Sequence, residues 1–175
     1  MEYIYIIIAI VLAIVVAGIG ATVYCIYPIR QGMQMAISKM FLFSMHCSRR
    51  LSFTFSLTAE DSLIIYTGIM TYKGKMIPTH HQIRCNPLLL MSQFLCKEGL
   101  RREQYYEAVI ILIEHELGHA IDSSRFVTPE PTEEETITGE LAAWDKGTGV
   151  LGVSYDQGTY AEMRAWSLGS YGIKE

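Results

Sequence analysis

The residues best suited to chemistry lie in one short stretch, His115-Glu116-Leu117-Gly118-His119. Helical side chains four residues apart differ by only about 40° around the axis, so His115 and His119 share a face. Two imidazoles placed in this way can bind one Zn²⁺. Glu116 lies beside them, about 100° from His115, where a carboxylate can accept a proton from metal-bound water. The spacing predicts a hydrolytic zinc site with Glu116 as the general base.

A zinc site of this kind needs a third protein ligand and one position open to water. A histidine six residues after His119 would continue the metzincin pattern, but Arg125 stands there, which excludes that subclass. Downstream carboxylates are the natural candidates, namely Glu133, Glu134, Glu135, Glu140, Asp145, Asp156 and Glu162. We prefer Glu140 because small residues flank it in TGELAAW and let its helix approach the zinc helix closely. Gly139 costs about 1 kcal/mol inside a helix without such a reason.

Two supporting roles in the site are less well defined by the sequence. Asp122 lies on the same helical face, nearly one turn beyond His119, and could orient a ligand imidazole through its second nitrogen. A transition-state oxyanion also needs a hydrogen-bond donor. The sequence offers five donors without choosing among them, namely Tyr155, Tyr160, Arg164, His80 and His81.

Helices are predicted to carry both halves of the site. One long helix is expected over residues 102–124, although its centre, AVIILI, would suit a strand by propensity alone. Thr132 and Glu135 have capping-box spacing, which predicts a helix through about Lys146. A second such box at Thr159 and Glu162 predicts a final helix that ends near residues 169–172.

The chain before the motif predicts a small sheet. Residues 51–57 alternate apolar and polar side chains as in a strand, and residues 63–72 and 75–85 form a plausible hairpin. Pro78 makes the second arm either an edge strand or a bulged one. Along an edge strand an extended peptide could pair. Residues 88–100 are expected to be helical. We therefore predict an α+β fold over residues 51–175, with a small mixed sheet, a zinc-binding helix and a ligand helix.

An uncharged apolar run extends from Tyr3 to Ile29. As a helix it would span about 40 Å, against about 30 Å for the hydrocarbon core of a bilayer. We predict one transmembrane helix over residues 3–29, followed by a basic, amphipathic, membrane-proximal segment over residues 30–50. The apolar stripe of that segment has helical spacing at Met33, Ile37, Met40 and Phe41. A removable signal peptide is the alternative, because the small residues at 17, 18, 20 and 21 resemble a cleavage site. Basic residues downstream, namely Arg30, Lys39, Arg49 and Arg50, predict an outside N-terminus and a cytoplasmic domain.

Charge is distributed as unevenly as hydropathy. Residues 1–102 carry ten basic and four acidic side chains, whereas residues 103–175 carry four basic and fourteen acidic ones. The basic half adjoins the apolar run, which favours an anionic membrane surface as its partner over nucleic acid. Of the four cysteines, one lies in the apolar run, and the odd remainder fits a reducing compartment better than a disulfide framework.

HELGHAID, followed some twenty residues later by a helical glutamate, resembles the gluzincin-type zincin metallopeptidases. It is similar to the ImmA/IrrE family and to the metallopeptidase-like domains of phages and mobile elements. The segments QIRCNP, GELAAWDKG and YAEMRAWSLGSYG extend this resemblance over about residues 62–172. It implies a zincin-like domain acting on a protein or peptide, with His115, His119 and Glu140 as zinc ligands and Glu116 as catalytic base. The chain departs from that family in having a membrane helix where a DNA-binding domain is usual.

Two other functions stay open at this point. Zinc could stabilise a membrane-tethered interaction module that cuts no peptide, or a helical adaptor could contain the motif by accident. Glu116 favours the enzyme, because a purely structural site has no use for a base at that position. Substrate, cleavage specificity and oligomeric state do not follow from the sequence.

Overall fold

The computed structural model describes residues 2–46, 52–58, 65–72, 75–96, 100–122 and 131–173. Over these ranges the helices are α1 (Glu2–His46), α2 (Pro87–Cys96), α3 (Tyr105–Ile121), α4 (Glu133–Gly147) and α5 (Gln157–Gly169), and the strands are β1 (Ser52–Leu57), β2 (Ile65–Tyr72) and β3 (Lys75–Cys85). A 3₁₀ turn, Arg102–Gln104, precedes α3. The fold is α+β and mostly helical, in agreement with the sequence prediction.

The two halves of α1 have different surroundings. Every side chain from Ile4 to Tyr24 is exposed, and this part of the helix is long and apolar enough to cross a membrane. Beyond it, one face of the same helix packs into the folded domain, mainly against α3, through Ile29, Met33, Ala36 and Met40. The segment predicted at 30–50 is therefore a continuation of α1 as far as His46, and residues 47–50 lie outside the described ranges.

The buried face of α1 differs in detail from the apolar stripe expected for it. Met33 and Met40 are buried as that stripe requires, whereas Ile37 and Phe41 are exposed. Helical spacing alone allowed both choices, because apolar residues surround α1 at this level. Contact with α3 selects the face, and the buried positions follow the i, i+4, i+7 and i+11 pattern of one helix stripe.

The sheet has the order β1-β3-β2. β2 and β3 pair antiparallel, as predicted for the hairpin, and β1 pairs parallel with residues 80–85 of β3. The edge position expected for 75–85 is therefore wrong for this half of β3. The bulge that was the other expectation is present, because the pairing with β2 shifts register between Ile69 and Thr71, opposite residues 76–81 of β3. In the described part of the chain only residues 75–79, which include Pro78, lack a neighbour on the β1 side. An extended peptide has no free edge to pair with along residues 80–85.

α3 is the central helix of the domain. Every residue from Ala108 to Ala120 is buried, and α1, β2, α4 and α5 all pack around the helix. This burial explains why AVIILI is apolar on all sides without being a strand. The β3 side chains His81, Ile83 and Cys85 are also buried, and alternate positions of a strand share one face.

α4 begins with the predicted capping box. The Glu135 backbone N–H donates to Thr132 Oγ1 at 3.2 Å, and the Thr132 N–H donates to Glu135 Oε2 at 2.8 Å. The box expected at the start of α5 is wrong in position. Asp156 is the N-cap there, and its carboxylate accepts the Thr159 N–H at 2.9 Å.

α3 and α4 pack with almost no side chain between their backbones. A Cβ on Gly118 would collide with the backbone of Ala143, and a Cβ on Gly147 would collide with the backbone of Glu114. The close approach that we inferred from small residues is present, but Gly139 does not provide it, because a Cβ there would meet nothing within 4 Å.

The two glycines of α4 provide a matched test of this packing. We expect Gly147→Ala to lower the free energy of unfolding by about 1–3 kcal/mol, since the added methyl group overpacks the contact with α3. Gly139→Ala should raise it by up to about 1 kcal/mol, because alanine is the better helix former and the space is open. Chemical unfolding of the full chain in detergent measures both. Equal effects of the two substitutions would contradict the assignment of the close contact to Gly147.

Candidate metal centre

Three side chains converge on one point between α3 and α4. His115 Nε2 lies 3.2 Å and His119 Nε2 3.3 Å from the same oxygen of Glu140, Oε2. The side chains are buried, with 5%, 2% and 2% of their surfaces exposed in the order His115, His119 and Glu140. Two consecutive turns of α3 supply the histidines, and the middle of α4 supplies the carboxylate. The sequence prediction thus names the residues that the fold brings together.

The donor set and its spacing fit a bound metal ion. One potential ligand atom from each of the three residues lies within 4.8 Å of the others. Atoms bound at about 2.0–2.1 Å to a single tetrahedral zinc are about 3.3 Å apart, which matches both separations from Glu140 Oε2. Buried His115, His119 and Glu140 can therefore hold a metal ion.

The Glu140 carboxyl is held in the form that binds cations. Burial by itself acts to raise its pKa, but hydrogen bonds and charge from His115 and His119 outweigh burial and hold the pKa well below its usual range. A carboxyl with a lowered pKa is ionised at neutral pH, and metal binding requires the deprotonated ligand.

Aromatic side chains pack against His115. The indole of Trp144, one turn beyond Glu140 on α4, stacks on the His115 ring with centroids 4.5 Å apart. The Tyr160 ring of α5 packs edge-on against the Trp144 indole, with ring centroids 5.7 Å apart. The Tyr160 hydroxyl lies 2.9 Å from Thr148 Oγ1. Stacking of this kind restricts the rotation of the His115 imidazole, and Tyr160 of α5 packs in turn against the stacked indole.

Glu114 is the functional-site residue that sequence reasoning missed. Its carboxylate is almost wholly buried and accepts three hydrogen bonds, from the N–H groups of Gly149 and Leu151 at 2.9 Å and from the Tyr155 hydroxyl at 2.8 Å. It therefore fixes the loop that joins α4 to α5 onto α3. The sequence did offer a signal, because Glu114 directly follows the apolar run AVIILI and so belongs to a stretch expected to be buried. Acidic residues are rarely buried without partners.

Glu116 is buried, with 6% of its surface exposed. Its negative charge adds to burial in raising the pKa of the Cys85 thiol, on β3, to about 12. The Cys85 thiol is therefore neutral under ordinary conditions. The predicted base thus lies on the same helix as the two histidines and next to the buried end of the central strand.

Two of the other predicted site residues, Asp122 and Tyr155, have clear structural partners. Asp122 Oδ2 lies 2.9 Å from Lys146 Nζ and so links the end of α3 to α4, and its role toward an imidazole stays a prediction. Tyr155 donates its hydroxyl to Glu114, and burial together with that carboxylate raises its pKa. Arg164 lies half-buried on α5, and the His80 side chain falls outside what the structure describes. None of the five oxyanion donors is singled out by this geometry.

No protein-family model, curated protein or solved structure matches the chain.

Removal of the carboxylate ligand tests the assignment of Glu140. We expect about one zinc ion per wild-type chain and at least a hundredfold weaker binding in Glu140→Ala, because two imidazoles alone leave the site incomplete. Competition with a chromophoric chelator measures the affinity. Glu134→Ala removes an exposed acid from the same helix and should bind zinc like the wild type. Wild-type affinity in Glu140→Ala would show that another residue is the third ligand.

Proposed function

We propose that the chain is a membrane-anchored, zinc-dependent peptidase of the zincin type, similar to the ImmA/IrrE family. The observation that carries this proposal is the convergence of two imidazoles and one carboxylate beside a buried glutamate on the same helix. The resemblance of HELGH and its flanking segments to that family supports the same conclusion. The substrate class we propose is a protein or peptide.

Each side chain of the site has a role in peptide hydrolysis. His115, His119 and Glu140 would hold the metal ion, and three protein ligands would leave a fourth position for water or substrate. A zinc ion bound there would supply acidification of water and polarisation of the carbonyl under attack. Glu116 accepts the proton released from water at its carboxylate and returns it to the leaving amine. Trp144 keeps the His115 ring in its ligating orientation through the stacking contact.

One observation favours a second function, a zinc-stabilised interaction module without activity. The three candidate ligands are nearly inaccessible to solvent, as expected for a structural site that no substrate enters. A closed site would join α3 to α4 and add its binding free energy to folding. The two functions differ in what they require of Glu116, because only the enzyme needs a base there.

Glu116→Gln separates the two functions. We expect it to retain zinc and to lose about 10²- to 10⁴-fold in the rate of peptide cleavage, because an amide cannot accept the proton. The assay incubates the full chain with a tryptic digest of a bacterial proteome and counts new peptide termini by mass spectrometry. Glu134→Gln is the control, since it makes the same chemical change on an exposed surface. Cleavage at equal rates by wild type and Glu116→Gln, or by neither, would contradict the enzyme.

We further propose that α1 crosses the membrane once, with its N-terminus outside and the metal centre in the cytoplasm. The fully exposed apolar stretch from Ile4 to Tyr24 supports the crossing, and the basic residues that follow it support the orientation. Burial of the later part of α1 in the domain joins the anchor directly to the site.

Reporter fusions and intact mass test this topology. In a bacterial host we expect a C-terminal green fluorescent protein to fluoresce and a C-terminal alkaline phosphatase to be inactive, because the C-terminus stays in the cytoplasm. The mass of the purified chain should include the whole apolar run. An active phosphatase fusion would contradict the orientation, and a chain shortened near residues 17–21 would identify a signal peptide instead.

A further inference from the structure

The exposed apolar part of α1 ends where a proline interrupts the hydrogen bonding of the helix. Pro28 lies within the helix and has no backbone N–H, so the carbonyl of Tyr24, four residues earlier, loses its ordinary helical donor. Arg102, on the 3₁₀ turn before α3, supplies a donor in its place, because its Nε–H donates to the Tyr24 carbonyl at 2.9 Å. A residue 78 positions away in the chain thus completes the hydrogen bonding of the anchor helix.

The guanidinium group is held by a second contact. It stacks over the Tyr24 ring, with its central carbon 3.7 Å from the ring centroid. A cation above an aromatic face is attracted by the ring quadrupole. Because Nε is used for the carbonyl, the two terminal amino groups of Arg102 remain, and among the described residues no acceptor is found for them. These two contacts fix the orientation of the Arg102 side chain and leave its terminal amino groups able to donate further hydrogen bonds.

This position lies at one end of the exposed apolar stretch. Side chains are exposed up to Tyr24 and become buried at Pro28 and Ile29, where the folded domain begins. A hydrocarbon core about 30 Å thick takes about 20 helical residues, so a helix that enters it near Ile4 leaves it near Tyr24. Arg102 therefore lies at the level of the lipid headgroups if α1 spans the membrane.

Two further arginines lie close to this level, on the domain side of it. Arg101 precedes Arg102 and is exposed, and Arg30 is exposed on α1, about 9 Å along the axis from Tyr24. Glu103 is the acidic neighbour in the chain, and the three guanidinium groups outnumber it. Guanidinium groups bind phosphate oxygens through paired hydrogen bonds, which makes arginine better suited than lysine to this ligand.

We propose that Arg102, together with Arg101 and Arg30, binds the phosphate groups of anionic lipids where α1 leaves the bilayer. The inference rests on the proposed membrane crossing and is independent of peptidase activity. Arg102 has a double role in it, since one nitrogen secures the anchor helix to the 3₁₀ turn before α3 and the others face the headgroup layer. The domain is thereby bound to the surface as well as tethered to it.

The test uses the full chain in lipid nanodiscs of phosphatidylcholine with one fifth phosphatidylglycerol. Spin-labelled lipids report the association constant of phosphatidylglycerol relative to phosphatidylcholine. We expect the wild type to prefer the anionic lipid, and Arg101→Gln and Arg102→Gln each to lower that preference about fivefold, the ratio expected for one basic side chain at an anionic surface. Arg102→Lys should retain part of the preference, because it keeps the charge and loses the paired hydrogen bonds.

Lys39→Gln is the matched control, since it removes one positive charge from α1 about 14 Å beyond Arg30 and should leave the preference unchanged. Arg101→Gln excludes misfolding as the cause, because the Arg101 side chain is exposed and contacts only its near neighbour Gln104 in the described structure. No preference in the wild type, or a wild-type preference in both arginine variants, would overturn the proposal. Extraction of the wild-type chain from membranes by alkaline carbonate would overturn the membrane crossing, and this proposal with it.

Discussion

The direct contact between the backbones of α3 and α4 is the constraint on which the candidate site depends. Glu140 lies on α4 and reaches both histidines of α3 with one carboxylate oxygen, at 3.2 and 3.3 Å. A glutamate side chain is short, so this distance is possible only if the helices approach without a layer of side chains between them. Gly118 and Gly147 permit that approach, because a Cβ on either would collide with the opposite backbone. The candidate metal centre therefore depends on the absence of a side chain at Gly118 and Gly147 as much as on its three candidate ligands.

The two glutamates on either side of His115 illustrate how environment assigns roles to identical residues. Glu114 faces the loop after α4 and has its carboxylate occupied by two backbone N–H groups and a tyrosine hydroxyl. Glu116 is also buried, and its charge contributes to the raised pKa of the Cys85 thiol on β3. A carboxylate with three committed donors is poorly suited to proton transfer, so the fold separates a structural acid from a candidate base only two residues away.

Local patterns predicted much of this structure, and long-range contacts account for what they missed. The helical spacing of His115 and His119 and the capping box at Thr132 depend on neighbours in the chain, and both features are present. The central position of β3 depends on parallel pairing with β1, which no local pattern specifies. Glu114 was missed for the same reason, since its partners lie 35 to 41 residues later in the chain. Glu140 was found because its small neighbours suggested close packing, although the glycine we credited was not the one in contact.

The continuity of α1 has a consequence for how this chain can vary in length. Gly32 lies against the backbone of Tyr106, and Tyr24 is bound by Arg102, so two contacts fix the rotation of the helix about its axis. One residue inserted between these positions would turn the preceding segment by about 100° and separate at least one contact. Residues added before Tyr24 would lengthen the apolar stretch and leave both contacts in place. If α1 crosses the membrane as proposed, its N-terminal side is where the chain can adjust to bilayers of different thickness.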